Sequence, residues 1–278
     1  MVNWYSDGIP LGDWAEEAVE WIDSNLGFLL TFIYDALEFA YEGLRDFLID
    51  MPMWAVIFLF ALVTLVVARR LFLTIAVVLL LLLIDNLGLW DNAMLTVSLV
   101  LVGAVVALII GIPTGILCSR SDPFNSVMKV VLDFMQTMPS FVYLIPAVIL
   151  FRIGPVPGII ATVVFAVPPA VRLTNLGIRQ VPKELNEVAD SFGSNPWQKL
   201  FNVQLPVAMP TIMAGVNQCI MLALSMVVIA SMIGAPGLGT DVLVALQRVQ
   251  IGAGVEAGVC IVIIAIILDR ITQGAGAK

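Results

Sequence analysis

The sequence predicts an all-α integral membrane protein, and three observations carry that expectation. Of 278 residues, 60% are hydrophobic and only 12% are charged, with a mean hydropathy of +1.03; a soluble domain of this length is far more polar. The sparse charges divide the chain into apolar runs long enough to cross a bilayer as helices, which satisfy their own backbone hydrogen bonds where water is absent. Lysine and arginine collect at alternate ends of those runs, as basic residues retained on the cytoplasmic side do.

Residues 1–50 come first and differ from the rest. They carry eleven acidic side chains from Asp7 to Asp50 against the single base Arg45, too polar a segment to span. Trp14, Ala18, Trp21, Ile22 and Leu29, then Ile33, Leu37, Ala40, Leu44 and Phe47, recur at three- and four-residue steps, which predicts amphipathic helices lying on the outer membrane surface. Interfacial helices are usually basic, so attraction to anionic lipid does not explain this segment. Two readings stay open: a solvated face that keeps the segment outside, or a docking surface for an extracytoplasmic partner. Met1 is not followed by the basic stretch and apolar core of a cleavable signal, so targeting is expected through the spans themselves.

Apolar runs then follow at Met51–Ala68, Leu71–Ile84, Asn92–Ser119, Phe134–Phe151 and Ile153–Val171. The second is short unless it continues through Asn86 and Leu87. The uncharged run from Leu200 to Thr240 is too long for one crossing at about 1.5 Å per residue, and its span is placed near Thr211–Ile233. A last run, Gly254–Leu268, closes at Asp269 and Arg270. The count is about seven spans, with the N-terminus outside and the C-terminus inside. That orientation puts ten of the thirteen basic residues inside and leaves only Arg45, Arg152 and Arg248 outside. The domain reading is therefore residues 1–50 as the acidic segment, 51–91 as two accessory spans, and 92–278 as a five-span core with a cytoplasmic loop at 172–209.

That loop is the most informative segment. Pro182 suits a first helical turn, Leu185, Val188, Ala189 and Phe192 share one face, and Gly193 stops the helix. A second helix is expected from Ser194 or Asn195 as cap, with Pro196 in the first turn, Trp197, Leu200 and Phe201 as its apolar face, and Leu205-Pro206 marking the return to the membrane. Two crossed amphipathic helices make a compact knob whose polar faces show Glu184, Glu187, Asp190, Gln198 and Lys199.

The spacing within it is specific. Glu187-Val188-Ala189, three residues, Gly193, nine residues, then Val203-Gln204-Leu205-Pro206 resembles the EAA motif of ATP-binding-cassette importer permeases, E-A-A-x3-G-x9-I-x-L-P, with valine departing from it at 188 and 203. The runs at 133–144 (Asp-Phe-Met-Gln-Thr-Met-Pro-Ser-Phe-Val-Tyr-Leu), 165–169 (Phe-Ala-Val-Pro-Pro), 221–230 (Met-Leu-Ala-Leu-Ser-Met-Val-Val-Ile-Ala), 234–239 and 268–273 widen the match. They look like the permease subunits of glycine betaine and proline betaine importers, over about Trp54 to Gln273.

The resemblance implies a type I ABC importer fold in a prokaryotic cytoplasmic (inner) membrane. It implies two copies of this chain, two ATPase subunits that bind ATP and Mg, and an external substrate-binding protein expected as a separate polypeptide. Glu184, Glu187, Val188, Ala189, Gly193, Trp197, Leu205 and Pro206 are then the residues expected to seat the loop in the ATPase. The chain itself is expected to be no enzyme and to hold no cofactor: it lacks a Walker-type phosphate loop, and the glycine cluster 234–239 reads as an outer loop. Histidine is absent, and Cys118, Cys219 and Cys260 lie in apolar runs without metal-ligand spacing, as small buried side chains do. No nucleic-acid partner is expected; membrane lipid is.

A pore for a small zwitterion with a quaternary ammonium needs a wet, weakly polar path with aromatic faces. Candidates are Gln136, Thr137, Phe141 and Tyr143 on the fourth span, and Asn217, Gln218 and Ser225 on the sixth. Such residues also glue helices together. Pro139, Pro146, Pro168 and Pro169 are either hinges or fixed bends. The rival function is a secondary transporter or channel for small zwitterions or cations, against which stands the lack of an ionisable residue in the middle of any assigned span.

Overall fold

The computed structural model describes residues 10–276, and among them every regular element is helical. The N-terminal segment, α1 (Leu11–Asp50), consists of two helical stretches joined at a kink. It kinks at Leu26, where φ −114° and ψ 16° leave the helical region. Two side chains just before the kink, Ser24 Oγ and Asn25 Nδ2, donate to the Trp21 carbonyl at 3.1 and 2.9 Å. They compete there with the backbone donor of the helix. Beyond the kink, Leu37, Tyr41 and Leu48 are buried in the main core, against α4, α6 and α7. Ala40 and Phe47, expected on that face, are exposed. Packing selects the stripe 37, 41, 44, 48, one position round from the expected 37, 40, 44, 47. Apolar residues occupy both sides of α1, so periodicity alone did not choose between them.

At Met51-Pro52 the chain turns by 111° into α2 (Met53–Ala68). Arg69 in the left-handed conformation then reverses it into α3 (Leu71–Asn86), which extends past Ile84 as the sequence allowed. These two 16-residue helices pair with each other, and α2 lies along α13. The core proper begins with α4 (Trp90–Arg120), α5 (Asp122–Thr137), α6 (Ser140–Phe151) and α7 (Pro155–Arg179). It continues through the loop helices α8 (Lys183–Ser191) and α9 (Pro196–Lys199), then α10 (Leu205–Ser225), α11 (Val227–Ser231), α12 (Leu238–Gln247) and α13 (Ile251–Gly276).

Four helical segments are long and apolar enough to cross a membrane alone: Trp90–Arg120, Pro155–Arg179, Pro196–Ser231 and Ile251–Gly274. Counting each sharply bent pair as one span raises the number to six. Three expectations change. The run Phe134–Phe151 is not one helix: α5 and α6 meet at 96°, because Pro139 lacks an N–H and holds Met138 extended at φ −66°, ψ 135°. Of the other prolines expected to bend or loosen helices, Pro146, Pro168 and Pro169 all lie within continuous helix.

The second change is that no helix begins near Thr211. Helix runs from Pro196 through a π turn at Leu200–Gln204 into α10, so Leu205-Pro206 lies inside a helix rather than at its entry. The π turn has a local cause: Pro206 cannot donate to the Asn202 carbonyl and its ring crowds it, and widening the preceding turn relieves that. The third is α12, which no sequence signal announced. It folds back beside α11 and α13, and its start is pinned to α4. The Leu238 N–H donates to Thr96 Oγ1 at 2.9 Å, and Asn92 Nδ2 to Asp241 Oδ2 at 2.7 Å.

The centre of the core is a seam of small residues. Gly103, Ala107, Gly111 and Gly115 on α4 face Thr162, Ala166, Ala170 and Thr174 on α7. A Cβ on Gly111 would stand 2.6 Å from that of Ala170, and one on Gly115 2.6 Å from that of Thr174. Without a hydrophobic drive between helices in lipid, such close approach is how they gain packing energy. The α10 helix closes on the other side of α7, with Gly215 against Pro169 and Gly177 against Ala208.

Candidate functional site

The loop after α7 folds as two joined turns of helix standing on the end of the core. Pro182 caps α8, and Gly193 at φ +73° ends it. The Gly193 N–H donates to Asp190 O at 2.9 Å and the Ser194 N–H to Ala189 O at 3.0 Å, the paired bonds of a Schellman stop. Asn195 then caps α9 reciprocally with Gln198: each side chain takes the other's backbone N–H, at 2.8 and 2.9 Å. Lys199 pairs with Asp190, and Gln204 Nε2 donates to Asn186 Oδ1 at 3.0 Å, so α8 is tied to the helix that follows.

The expected apolar face of α8 divides in two. Ala189 packs inward, as Leu200 does from the second helix. Leu185, Val188 and Phe192, by contrast, are exposed, Phe192 at 86%. On the second helix the rings of Trp197 and Phe201 stack 6.0 Å apart, and both are exposed. Glu184 and Glu187 are exposed, and among the described residues neither joins an ion pair. Leu205 is half-buried and Pro206 exposed. The knob thus presents an open apolar patch bordered by free carboxylates, which is the character of an interface core with a polar rim.

Sequence reasoning missed what holds the knob. At the end of α4, Arg120 Nη2 donates to Pro196 O at 3.1 Å, and its guanidinium lies 5.2 Å from the Trp197 ring centroid. At the end of α7, just before the knob, Arg179 donates to Cys118 O at 2.8 Å and Asp122 Oδ1 at 2.6 Å, fixing α7 to the α4–α5 junction rather than touching the knob itself. Both arginines had been read only as retention charges. An arginine next to an aromatic-rich loop was the available signal.

The seven path candidates do not behave alike. Gln136, Thr137 and Phe141 are exposed at the α5–α6 break, and Thr137 Oγ1 donates only to its own helix at Phe134 O. Tyr143 is half-buried and its hydroxyl donates to the Met135 carbonyl, bridging the break. On α10, Gln218 and Ser225 are exposed, in line with Ala214 and Met221. Asn217 instead turns to α13 and accepts from Thr272 Oγ1 at 3.1 Å.

Comparison with solved structures shows the fold. The chain resembles a chain of the MetNI methionine ABC transporter in an inward-facing conformation, with a TM-score of 0.58 over 68% of this chain and 93% of that one at 21% identity. The sequence carries the assignment further. Residues 111–274 match the family described as binding-protein-dependent transport system inner membrane component. The Glycine betaine/carnitine transport permease protein GbuB of Listeria monocytogenes serotype 1/2a (strain 10403S) is 53% identical over 97% of this chain and 96% of its own length. The glycine betaine permease OpuAB of Bacillus subtilis (strain 168) is 46% identical over 97% and 95%, and the glycine betaine/proline betaine permease ProW of Escherichia coli (strain K12) 46% over 96% and 75%. The chain belongs to the binding-protein-dependent, inner-membrane permease family. It is a transport subunit rather than an enzyme.

Proposed function

We propose that this permease serves an ATP-driven importer for glycine betaine or a closely related quaternary amine. The observation that carries the substrate class is identity of 46–53% along nearly the whole chain to permeases named for glycine betaine. The importer contains two copies of this chain, two ATPase subunits that bind ATP and Mg, and a separate extracytoplasmic binding protein, all in a lipid bilayer. Seven spans serve each copy: α2, α3, α4, the bent pair α5–α6, α7, α10 and α13. Helix directions support this. The small-residue seam pairs α4 with α7 at a constant offset, so the two run parallel, and Ala68 meets Gly274 where α2 and α13 end together. The acidic α1 then lies on the extracytoplasmic side.

The knob at 183–206 seats in the ATPase through Leu185, Val188, Phe192 and Trp197, with Glu184 and Glu187 on its rim. Gln136, Thr137 and Phe141 from one element and Gln218 and Ser225 from another line the path between the two copies. Both sets are exposed in the protomer and offer weak polarity without fixed charge. Tyr143 and Asn217, engaged within the protomer, shape that path rather than face it.

Reconstitution in liposomes with the cognate ATPase and binding protein tests the proposal. Labelled glycine betaine is expected to accumulate only with ATP and binding protein present. Accumulation driven by a sodium or proton gradient alone would show a secondary carrier instead.

A further inference from the structure

Resting on the reading of the 183–206 knob as the ATPase-seated element, we propose that α5 is the lever that carries its movement to the pore, with Arg172 and Arg179 of α7 as the positioning residues that guide it.

The packing of α5 is unlike that of its neighbours. Leu132 is its one buried side chain, whereas α4 and α7 each bury more than a dozen. Beside this thin apolar contact, to which Met128 and Met135 add, a polar ladder holds α5 to α7. Arg172 Nη2 donates to Asp133 Oδ1 at 2.6 Å, Asn175 Nδ2 to Asn125 Oδ1 at 2.9 Å, and Arg179 Nη2 to Asp122 Oδ1 at 2.6 Å. Residues 172, 175 and 179 fall on one face of α7, so the rungs climb the length of α5. Interdigitated apolar side chains resist sliding, whereas ion pairs and amide bonds re-form after a small displacement. The helix is built to move as a rod.

Both ends connect to what a lever must join. At the near end only Ser121 separates α4 from α5, and Arg120 next to it grips the knob through Pro196 O and the Trp197 ring. A shift of the knob therefore pulls on the start of α5. The far end holds the path candidates Gln136 and Thr137 and then the 96° break at Met138-Pro139, the point at which a moving α5 reorients against α6.

The ion pairs are largely exposed, with side-chain exposures of 41% and 69% for Arg172 and Asp133, and exposed pairs contribute little to stability. A transport defect on breaking them is therefore separable from misfolding. The experiment uses the complete importer in liposomes with glycine betaine as the probe and compares Arg172→Glu, Asp133→Arg and the double exchange. Each single variant is expected to assemble with the ATPase and hydrolyse ATP while uptake falls about tenfold. Hydrolysis should also lose its response to loaded binding protein, and the double exchange should restore both.

Normal uptake in the single variants overturns the lever. So does loss of assembly together with uptake, which marks a merely structural pair, and so does a double exchange that assembles without recovering. Failure of the underlying reading is visible separately, as full ATP-dependent uptake by a Gly193→Trp chain, whose altered knob should not couple.

Discussion

Gly193 sits at φ +73°, yet a Cβ built on it meets nothing within 4 Å. Its restriction is conformational: the left-handed turn that closes α8 strains any residue with a side chain, by about 1 kcal/mol for alanine and less for asparagine. Uptake by the reconstituted importer is therefore expected to fall in the order Gly193→Asn, Gly193→Ala, Gly193→Trp. The last adds bulk to the docking patch and should abolish coupling. Full ATP-dependent uptake by Gly193→Trp would remove the knob from the mechanism. Phe192, at 86% exposure, provides the complementary case. Its truncation to alanine leaves stability within about 0.5 kcal/mol, as surface changes do. It should nevertheless weaken ATPase binding by about tenfold if the ring is an anchor at the interface, and titration of solubilised permease with ATPase measures that directly.

Among the elements, the α4–α7 seam tolerates change least. A Cβ on Gly115 would lie 2.7 Å from the Val171 carbonyl, backbone that cannot swing aside as a side chain could. Gly115→Val is expected to cost about 1–3 kcal/mol through overpacking, read as a lowered melting temperature of the detergent-purified chain. The pairing itself was legible, because small residues recur every fourth position at 103, 107, 111 and 115 and again at 162, 166, 170 and 174. Hydropathy hides it, since glycine, alanine and threonine all pass as span filler.

Hydropathy located α4 well, but α7 and α13 run on to Arg179 and Gly276, past the expected ends at Val171 and Leu268, so the first turns of the expected 172–209 loop are helix. The loop spacing placed the stop at Gly193 and left Ser194 or Asn195 as the cap, of which the structure uses Asn195. Hydropathy failed where backbone chemistry outweighed apolarity: at Pro139, which breaks one run into two helices, and at Pro206, which a π turn absorbs. On α1 it failed for another reason, the presence of apolar residues on both faces. The buried face gives α1 its own prediction. Removing residues 1–26, up to the kink, should leave the core intact. Removal through residue 49 takes Leu37, Tyr41 and Leu48 out of the main core and should lower the melting temperature of the assembled importer markedly.

For the whole molecule, the arrangement of directions is the strongest constraint. α10 runs against α7, because Gly177 meets Ala208 while Gly215, further along α10, meets Pro169, earlier on α7. With α4 parallel to α7 and α2 ending beside α13, the seven crossings proposed above would put the knob and the α2–α3 turn on one side, and the α12–α13 turn and α1 on the other. Charge agrees: Arg69, Arg70, Arg120 and Arg179 lie on the first side, and on the second only Arg45, Arg152 and Arg248.

Cysteine labelling turns this into a measurement. The three native cysteines are buried, so a membrane-impermeant maleimide has little background. Arg248→Cys and Asp23→Cys are expected to react in intact cells, and Phe192→Cys only after the membrane is opened. Reaction of residues 248 and 192 from the same side would require an even number of crossings between them. Residues 192 and 248 are separated by one apolar passage, α10 with α11, and by the short α12. That outcome would mean α12 crosses as well, which its 10 residues at about 1.5 Å each cannot do in a bilayer core about 30 Å thick.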